Sequence, residues 1–423
     1  MEEYWMKPIY DYFLESNDYN GIPLEYLFSE WDTVWEEGIR RLIVLVERGD
    51  CVIQSSSLPF IIRTAVPTIE STIRYLKEII EGKSNDFSQF SECVFPSHSY
   101  LVEHRDISEF APYDKFLALG GAHLQPIYFD MGVLNNYIDD PRYKLKLQDY
   151  HGSLSYEIPE DTKLDKKGYY ELNTFGLGYD NNGIRVVVAY PRYLRYLSRS
   201  QQNHWEAYEK TSPCKVIKAY LDNTLEGCFA FPQSIASGIL NERAYINKLW
   251  KAIFDENLFL KDYFIEDLPP YYSFLFRPTT KDLNRFYLIL DKLISDNLNT
   301  THLKDLLLNG YDNLPPYKDK VDEKIGSLAA LELWIDNVYT LKDGTKIGKE
   351  IVLPLKQVRK RRQPEAHKII SENTLDPDIY KIQDEILYAV YDSFCKLRII
   401  LSSHPKAIGI KPPSFWSDKV YCI

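Results

Sequence analysis

Hydrophobic residues recur every three or four positions along most of the chain, a period typical of amphipathic helices. The N-terminal residues follow this period from Trp31 to Val46 and again after Pro67. It returns in the C-terminal part, where the longest predicted helix starts at Asp376 and reaches His404. Asp as the N-cap and proline in the first turn favour that start. Both ends of the chain are therefore predicted to be helical.

The central residues have a different pattern, in which short β-branched and aromatic runs alternate with turn residues. Such runs predict strands, and they lie at Ser99–Val102, Phe116–Leu119, Pro126–Phe129 and Gly183–Tyr190. The predicted fold class is therefore α+β. It divides into an N-terminal helical region (1–92), a mixed α+β middle domain (93–236) and a C-terminal helical bundle (237–423).

The composition is that of a globular protein. Hydrophobic residues make up 45% and charged residues 26% of the 423 residues, which excludes a disordered or fibrous chain. The longest apolar runs, such as Leu42–Val46, are far shorter than the roughly 20 residues of a membrane-spanning helix. The start of the chain, Met1–Trp5, has no basic segment followed by an apolar one, so it does not resemble a secretion signal. We expect a cytoplasmic protein with no membrane partner.

Cysteine, histidine and glycine spacing gives no sign of a bound metal or cofactor. The six cysteines include no Cys-x-x-Cys pair, and the five histidines of the middle domain match neither His-x-x-x-His nor His-Glu-x-x-His. No Gly-x-x-x-x-Gly-Lys-Ser/Thr phosphate loop is present. We therefore expect neither a metal nor a cofactor.

Charge is distributed unevenly along the chain. Between Lys342 and Lys368 there are nine basic and three acidic residues, a net charge of +6. The net charge of the whole chain is −11, so the remaining residues sum to −17. An acidic body with one basic segment attracts polyanions at one place and repels them elsewhere. This segment is the candidate site for nucleic acid.

The basic segment also contains groups that suit RNA cleavage without a metal. An imidazole can transfer the proton of a 2′-hydroxyl, and a guanidinium can hold the phosphate. His367 lies five residues after Arg362, a spacing that places the two on different faces of a regular helix. The two converge if a helix begins near Pro364 and leaves Arg362 in its non-helical entry. Alternatively, one site draws residues from two chains.

The residues Arg362-Gln363-Pro364-Glu365-Ala366-His367 resemble the Arg-x(4–6)-His signature of HEPN domains, helical bundles found in RNA-cleaving toxins and phage-defence nucleases. The resemblance covers about residues 280–405. Gln363 stands where the family more often has Asn, Asp or His. Arg361 gives a longer spacing to His367, so which arginine acts stays open. The rest of the chain resembles only uncharacterised bacterial proteins, which implies no mechanism.

The resemblance implies a metal-independent endoribonuclease that acts as a homodimer, in the role of a toxin or an antiphage-defence effector. His367 is then the general acid/base and Arg362 the phosphate clamp, supported by Arg361, Gln363 and Glu365, while Arg359, Lys360 and Lys368 bind RNA. The acidic remainder of the chain suits regulation by an activating ligand or a partner protein. The alternative is a non-catalytic HEPN-like module that dimerises or holds a nucleic acid or nucleotide. In that case the basic run is a solvated or docking surface and His367 is structural.

Overall fold

The chain has an α+β fold in the computed structural model, as its sequence predicts. The structure describes residues 2–55, 63, 67–81, 92–138, 140–148, 150–156, 172–226, 233–273, 275–312, 314–317, 324–362, 375–417 and 419–421. These cluster into two compact units. The first comprises Met1–Lys144, Ser153–Gly178 and Val186–Gly227, and the second comprises Leu145–Gly152, Tyr179–Arg185 and Cys228–Ile423. The predicted division into three parts stays a prediction.

Short helices make up much of the first unit. They are α1 (Glu2–Glu15), α2 (Leu24–Glu30), α3 (Trp35–Glu47), α4 (Ile69–Ile80), α5 (His98–His104), α6 (Pro112–Ala118), α7 (Asn135–Ile138), α8 (Pro191–Leu194), α9 (Arg199–Glu206) and α10 (Lys218–Glu226). The helix predicted after Pro67 is α4. Thr68 caps it by accepting a hydrogen bond from the Ser71 N–H at 3.1 Å, and it buries Leu76 and Ile79.

A three-stranded antiparallel sheet lies among the N-terminal helices. Its strands are β1 (Ile22–Pro23), β2 (Cys51–Ser55) and β3 (Glu92–Pro96), in the order β1-β3-β2. The first two lie inside the region that the apolar period predicts to be helical. All five residues of β3 are buried. A fully buried strand lacks the alternation by which a sequence reveals a strand.

A larger sheet is built from the middle of the chain. It comprises β4 (Ile127–Asp130), β5 (Tyr143–Gln148), β6 (His151–Tyr156), β7 (Leu172–Asp180), β8 (Arg185–Ala189) and β9 (Cys214–Val216), in the order β4-β8-β7-β6-β5 with β9 beside β7. Strand β4 pairs antiparallel with β8, with Ile127 opposite Ala189. The strands predicted at Pro126–Phe129 and Gly183–Tyr190 are thereby confirmed.

Two of the predicted strands are wrong, because Ser99–Val102 lies in α5 and Phe116–Leu119 overlaps α6. Both helices have local start signals. The Ser97 hydroxyl accepts a hydrogen bond from the Tyr100 N–H at 3.1 Å, and Pro112 occupies the first turn of α6. These signals favour helix over strand in short apolar runs.

The second unit is mainly a helical bundle. It contains α11 (Ile235–Phe254), α12 (Thr280–Ile294), α13 (Thr300–Asn309), α14 (Ser327–Val338), α15 (Gly348–Arg362), α16 (Asp378–Ser402) and two parallel strands, β10 (Gln233–Ser234) and β11 (Val420–Tyr421). Helix α11 packs along α16, and α15 packs against α12, α14 and α16. No helix among the described residues has both the length and the apolar content to cross a bilayer.

A buried carboxylate links α11 to α16 and to the C-terminal residues. Glu242 is fully buried; its Oε2 accepts a hydrogen bond from Arg398 Nε at 2.7 Å, and its Oε1 accepts one from Trp416 Nε1 at 2.8 Å. A buried charge is tolerated only when such partners satisfy it. This network therefore fixes the register of α11 on α16.

Candidate nucleic-acid interface

The basic run of the C-terminal region forms the last turn of α15. Ile351, Leu355 and Val358 are buried at helical spacing and hold one side of α15 against the bundle. The helix then ends in Arg359–Arg362, four consecutive basic residues. Cations are favoured at this end because the last carbonyl groups of a helix carry a partial negative charge.

The arrangement in which Arg362 lies in the non-helical entry of a following helix is not the one observed, because Arg362 is the last residue of α15; the alternative of a site built from two chains stays a prediction. The helix persists to this point because its buried side continues to Val358 and because Arg362 is tied to α12. Arg362 therefore lies at the C-terminal end of α15, where the helix dipole does not favour a phosphate. Any phosphate bound by α15 here must be held by side chains.

Arg362 is committed to a carboxylate inside the bundle. Its Nη1 lies 2.5 Å from Oδ2 of Asp291, which is fully buried, and 3.3 Å from Oδ2 of the exposed Asp296. Asp291 also accepts a hydrogen bond from the Ser295 hydroxyl at 2.5 Å. The hydrogen bond to Asp291 raises the pKa of Arg362, so the guanidinium stays charged. The arginine neutralises a buried anion, and its side chain is only 34% exposed.

Arg361 is held differently. It is exposed, and its Nη1 donates a hydrogen bond to the Tyr287 hydroxyl at 2.7 Å. Its guanidinium carbon lies 5.8 Å from the centre of the Tyr287 ring. Among the described residues neither Arg361 nor its neighbours Arg359 and Lys360 form an ion pair within 4 Å, so their charges are available to an anionic ligand.

A second row of cations runs along α12. Lys281, Arg285 and Lys292 are exposed on one side of this helix, together with Leu288. At a rise of 1.5 Å per residue the row spans about 16 Å. This row lies next to the side of α12 that α15 covers. Tyr287 and Asp291 contact α15, and Leu288 and Lys292 follow them directly in the sequence, about 100° further around the helix. We call the surface of Lys281, Arg285, Lys292, Arg359, Lys360 and Arg361 the basic face.

Sequence reasoning missed the α12 contribution to the basic face. The apolar positions of α12 were sufficient to predict its buried side, but three cations in a helix usually form an ordinary solvated surface. The available signal was their spacing, because positions 281, 285 and 292 fall on one side of a helix. These cations become part of a candidate site because the basic end of α15 packs next to them, which the sequence does not show.

Four of the predicted site residues lie outside the described residues, namely Gln363, Glu365, His367 and Lys368. The predicted meeting of Arg362 or Arg361 with His367 therefore stays a prediction. The described residues include no group of three or more metal-binding side chains.

No protein-family model, curated protein or solved structure matches this chain. The described residues present a cationic surface on two packed helices, with one arginine in a buried ion pair and its neighbour exposed. Exposed cations of this kind attract anions.

Proposed function

We propose that the protein is a metal-independent endoribonuclease of the HEPN type that binds RNA on the basic face. The observation that carries the proposal is the concentration of cations on α12 and α15 of a chain with a net charge of −11: Lys281, Arg285, Lys292, Lys360 and Arg361 are exposed and Arg359 is partly exposed, and Arg285 lies 4.0 Å from Asp282. The clustered cations of this surface repel one another, and a bound polyanion would relieve that repulsion. The resemblance of residues 362–367 to the HEPN signature supplies the chemistry.

The proposed reaction uses the 2′-hydroxyl of the RNA itself as the nucleophile. His367 takes the proton of that hydroxyl, the 2′-oxygen bonds to the adjacent phosphorus, and the bond from phosphorus to the 5′-oxygen breaks. The leaving 5′-oxygen then receives a proton from an imidazolium. The products are a 2′,3′-cyclic phosphate and a free 5′-hydroxyl, and an arginine stabilises the extra negative charge on the phosphate.

The contacts of the two arginines favour Arg361 as the one that contacts the phosphate. Arg362 neutralises the buried Asp291, and turning it toward a ligand would leave that carboxylate without its charge partner. Arg361 is exposed and is held by one hydrogen bond to Tyr287. In this proposal Arg362 is a positioning residue that fixes the end of α15. Arg361 acts together with His367, and five residues separate the two in the sequence.

The biological context follows from the same resemblance. A homodimer would bring two copies of the motif together over one RNA, and Lys368, Gln363 and Glu365 would line the same groove. A cytoplasmic ribonuclease endangers its own cell, so the acidic remainder would respond to an activating ligand or a partner protein. This suits a toxin or an effector of antiphage defence.

The test is incubation of the purified full chain with end-labelled tRNA and mixed RNA in excess EDTA. We expect cleavage by the wild type, loss of cleavage in His367→Ala, and loss in Arg361→Ala with the fold retained. Lys349→Ala is the matched control, because Lys349 is an exposed cation at the opposite end of α15. Cleavage that persists unchanged in His367→Ala contradicts the mechanism.

A non-catalytic module is the second candidate, and the ion pair of Arg362 favours it. An arginine that neutralises Asp291 can be retained for the fold alone. This candidate predicts RNA binding that weakens with salt but no cleavage under any condition, including addition of nucleotides as activators. The same incubation therefore distinguishes the two.

A further inference from the structure

A polar groove in the first unit has the dimensions of a small-molecule site. Its volume is about 870 Å³, and it lies between α7, the residues that lead into β5, and α9. Ligand sites in proteins usually enclose roughly 300–1,000 Å³. None of its residues belongs to the basic face, so an inference about it does not depend on the proposed ribonuclease.

Three aromatic side chains of the groove are fixed through their polar atoms. The Tyr137 hydroxyl accepts a hydrogen bond from Trp205 Nε1 at 3.0 Å, and the Tyr143 hydroxyl accepts one from Gln201 Nε2 at 3.1 Å. The two tyrosine rings lie 5.1 Å apart at 88°. The third ring belongs to His204, whose Nε2 lies 3.1 Å from the Val133 carbonyl oxygen and therefore donates to it. These contacts hold the three side chains in place, and side chains that are already positioned lower the entropic cost of binding.

The uncharged hydrogen-bonding groups of the groove include two asparagine amides and a serine hydroxyl. Asn135 and Asn136 line it, and among the described residues their side-chain amides form no hydrogen bond within the protein. Ser200 contributes a hydroxyl from α9. An amide offers a donor and an acceptor side by side, which is the arrangement that pairs with the edge of a nucleobase.

The groove carries no uncompensated charge among its described residues. Arg142 is the cation that lines it, and its guanidinium pairs with both carboxylate oxygens of Asp140, through Nε at 2.8 Å and Nη2 at 2.5 Å. The hydrogen bonds from Arg142 lower the pKa of Asp140, so the pair remains ionised. Because Arg142 is already paired with Asp140, the groove offers a phosphate no unpaired cation among its described residues. A neutral ligand needs no such counter-charge.

We propose that this groove binds a nucleoside, with its base against the side chains of Tyr143 and His204, its edge on the asparagine amides, and no phosphate. These two partly exposed rings supply a stacking surface for the base, whereas Tyr137 is buried behind them. The balanced pair of Asp140 and Arg142 sets the preference for the uncharged nucleoside over its phosphorylated forms. The first unit thereby gains a small-molecule site of its own.

The test is calorimetric titration of the full chain with adenosine, guanosine, cytidine and uridine, with AMP and glucose as comparison ligands. Ser200→Trp fills the groove from the exposed side of α9, and Asn203→Trp places the same bulk on an exposed position of α9 that does not line it. Asn136→Ala removes an exposed amide that forms no hydrogen bond with the part of the chain that the structure describes. Thermal unfolding and far-UV circular dichroism check that each variant is folded.

We expect at least one nucleoside to bind, with affinity reduced at least tenfold by Ser200→Trp, about fivefold by Asn136→Ala, and less than twofold by Asn203→Trp. AMP should bind no more tightly than adenosine, and glucose should not compete. The proposal is overturned if none of the four nucleosides binds at millimolar concentration, or if AMP binds at least tenfold more tightly than adenosine. Equal effects of the two tryptophan variants would also overturn it.

Discussion

Replacing Arg362 by alanine should destabilise the C-terminal bundle strongly. Asp291 is fully buried, and without Arg362 the hydrogen bond from Ser295 is the one side-chain partner that the described residues leave to its carboxylate. Removing one partner of a buried ion pair costs about 3–5 kcal/mol, because the remaining charge is left without solvent or a counter-charge. The additional contact of Arg362 with the exposed Asp296 contributes about 0–1 kcal/mol. We therefore expect Arg362→Ala to lower the free energy of unfolding by about 3–5 kcal/mol.

Companion variants separate the buried charge from the lost side chain. Combining Arg362→Ala with Asp291→Asn removes the unpaired charge, so the double variant should lose only about 1–2 kcal/mol. Arg361→Ala is the matched single variant, because Arg361 is the adjacent arginine and is exposed. Its loss should be about 1 kcal/mol or less, the usual value of one hydrogen bond.

Urea unfolding followed by circular dichroism measures these differences as shifts in the midpoint at constant slope. The chain has two compact units, which can unfold in separate transitions, so native-state hydrogen exchange of peptides from α12 and α15 should accompany it. The reasoning would be refuted if Arg362→Ala and Arg361→Ala had equal effects, or if the double variant were less stable than Arg362→Ala alone.

Three further predictions follow from other parts of the molecule. Arg398→Ala should lower the free energy of unfolding by about 3–5 kcal/mol in a urea titration, because it leaves the fully buried Glu242 without its cation; a loss below about 1 kcal/mol would contradict this. Burial raises the pKa of Glu92 to about 7, above its value in the unfolded chain, so the folded state binds the extra proton below that pH. The contribution of Glu92 to stability should therefore fall as pH rises from about 4.5 to 7, by on the order of 1–3 kcal/mol, and the difference between the wild type and Glu92→Gln in urea titrations across pH measures it; a difference that does not change with pH would contradict this. Lys360→Ala should reduce the slope of log affinity for RNA against log salt concentration by about 1, whereas Lys349→Ala should leave it unchanged; equal slopes for both variants would place the RNA elsewhere.

The helices of this protein could be predicted wherever a single apolar side runs along several turns, as in α12 and α16. Short apolar runs carried less information. Ser99–Val102 reads as a strand by its composition, but the hydroxyl of Ser97 caps a helix there. Buried strands such as β3 could not be predicted from the sequence, because a strand buried on both sides lacks the alternation of polar and apolar residues.

The candidate site was predictable only in part. The sequence reveals four consecutive basic residues, but it does not reveal that Arg362 pairs with Asp291, a residue 71 positions earlier. Likewise the cations of α12 joined the site only through the packing of α12 on α15. Long-range pairing of this kind depends on the tertiary arrangement, which local patterns do not contain.

The most direct measurement of the central proposal is cleavage of an RNA oligonucleotide whose 2′-hydroxyl at the cleaved position has been replaced by hydrogen. In excess EDTA, the unmodified RNA should be cut to a 2′,3′-cyclic phosphate end, detected by mass spectrometry, and the 2′-deoxy position should not be cut at all. Cleavage at the 2′-deoxy position would contradict the account, because the nucleophile would then have to come from elsewhere.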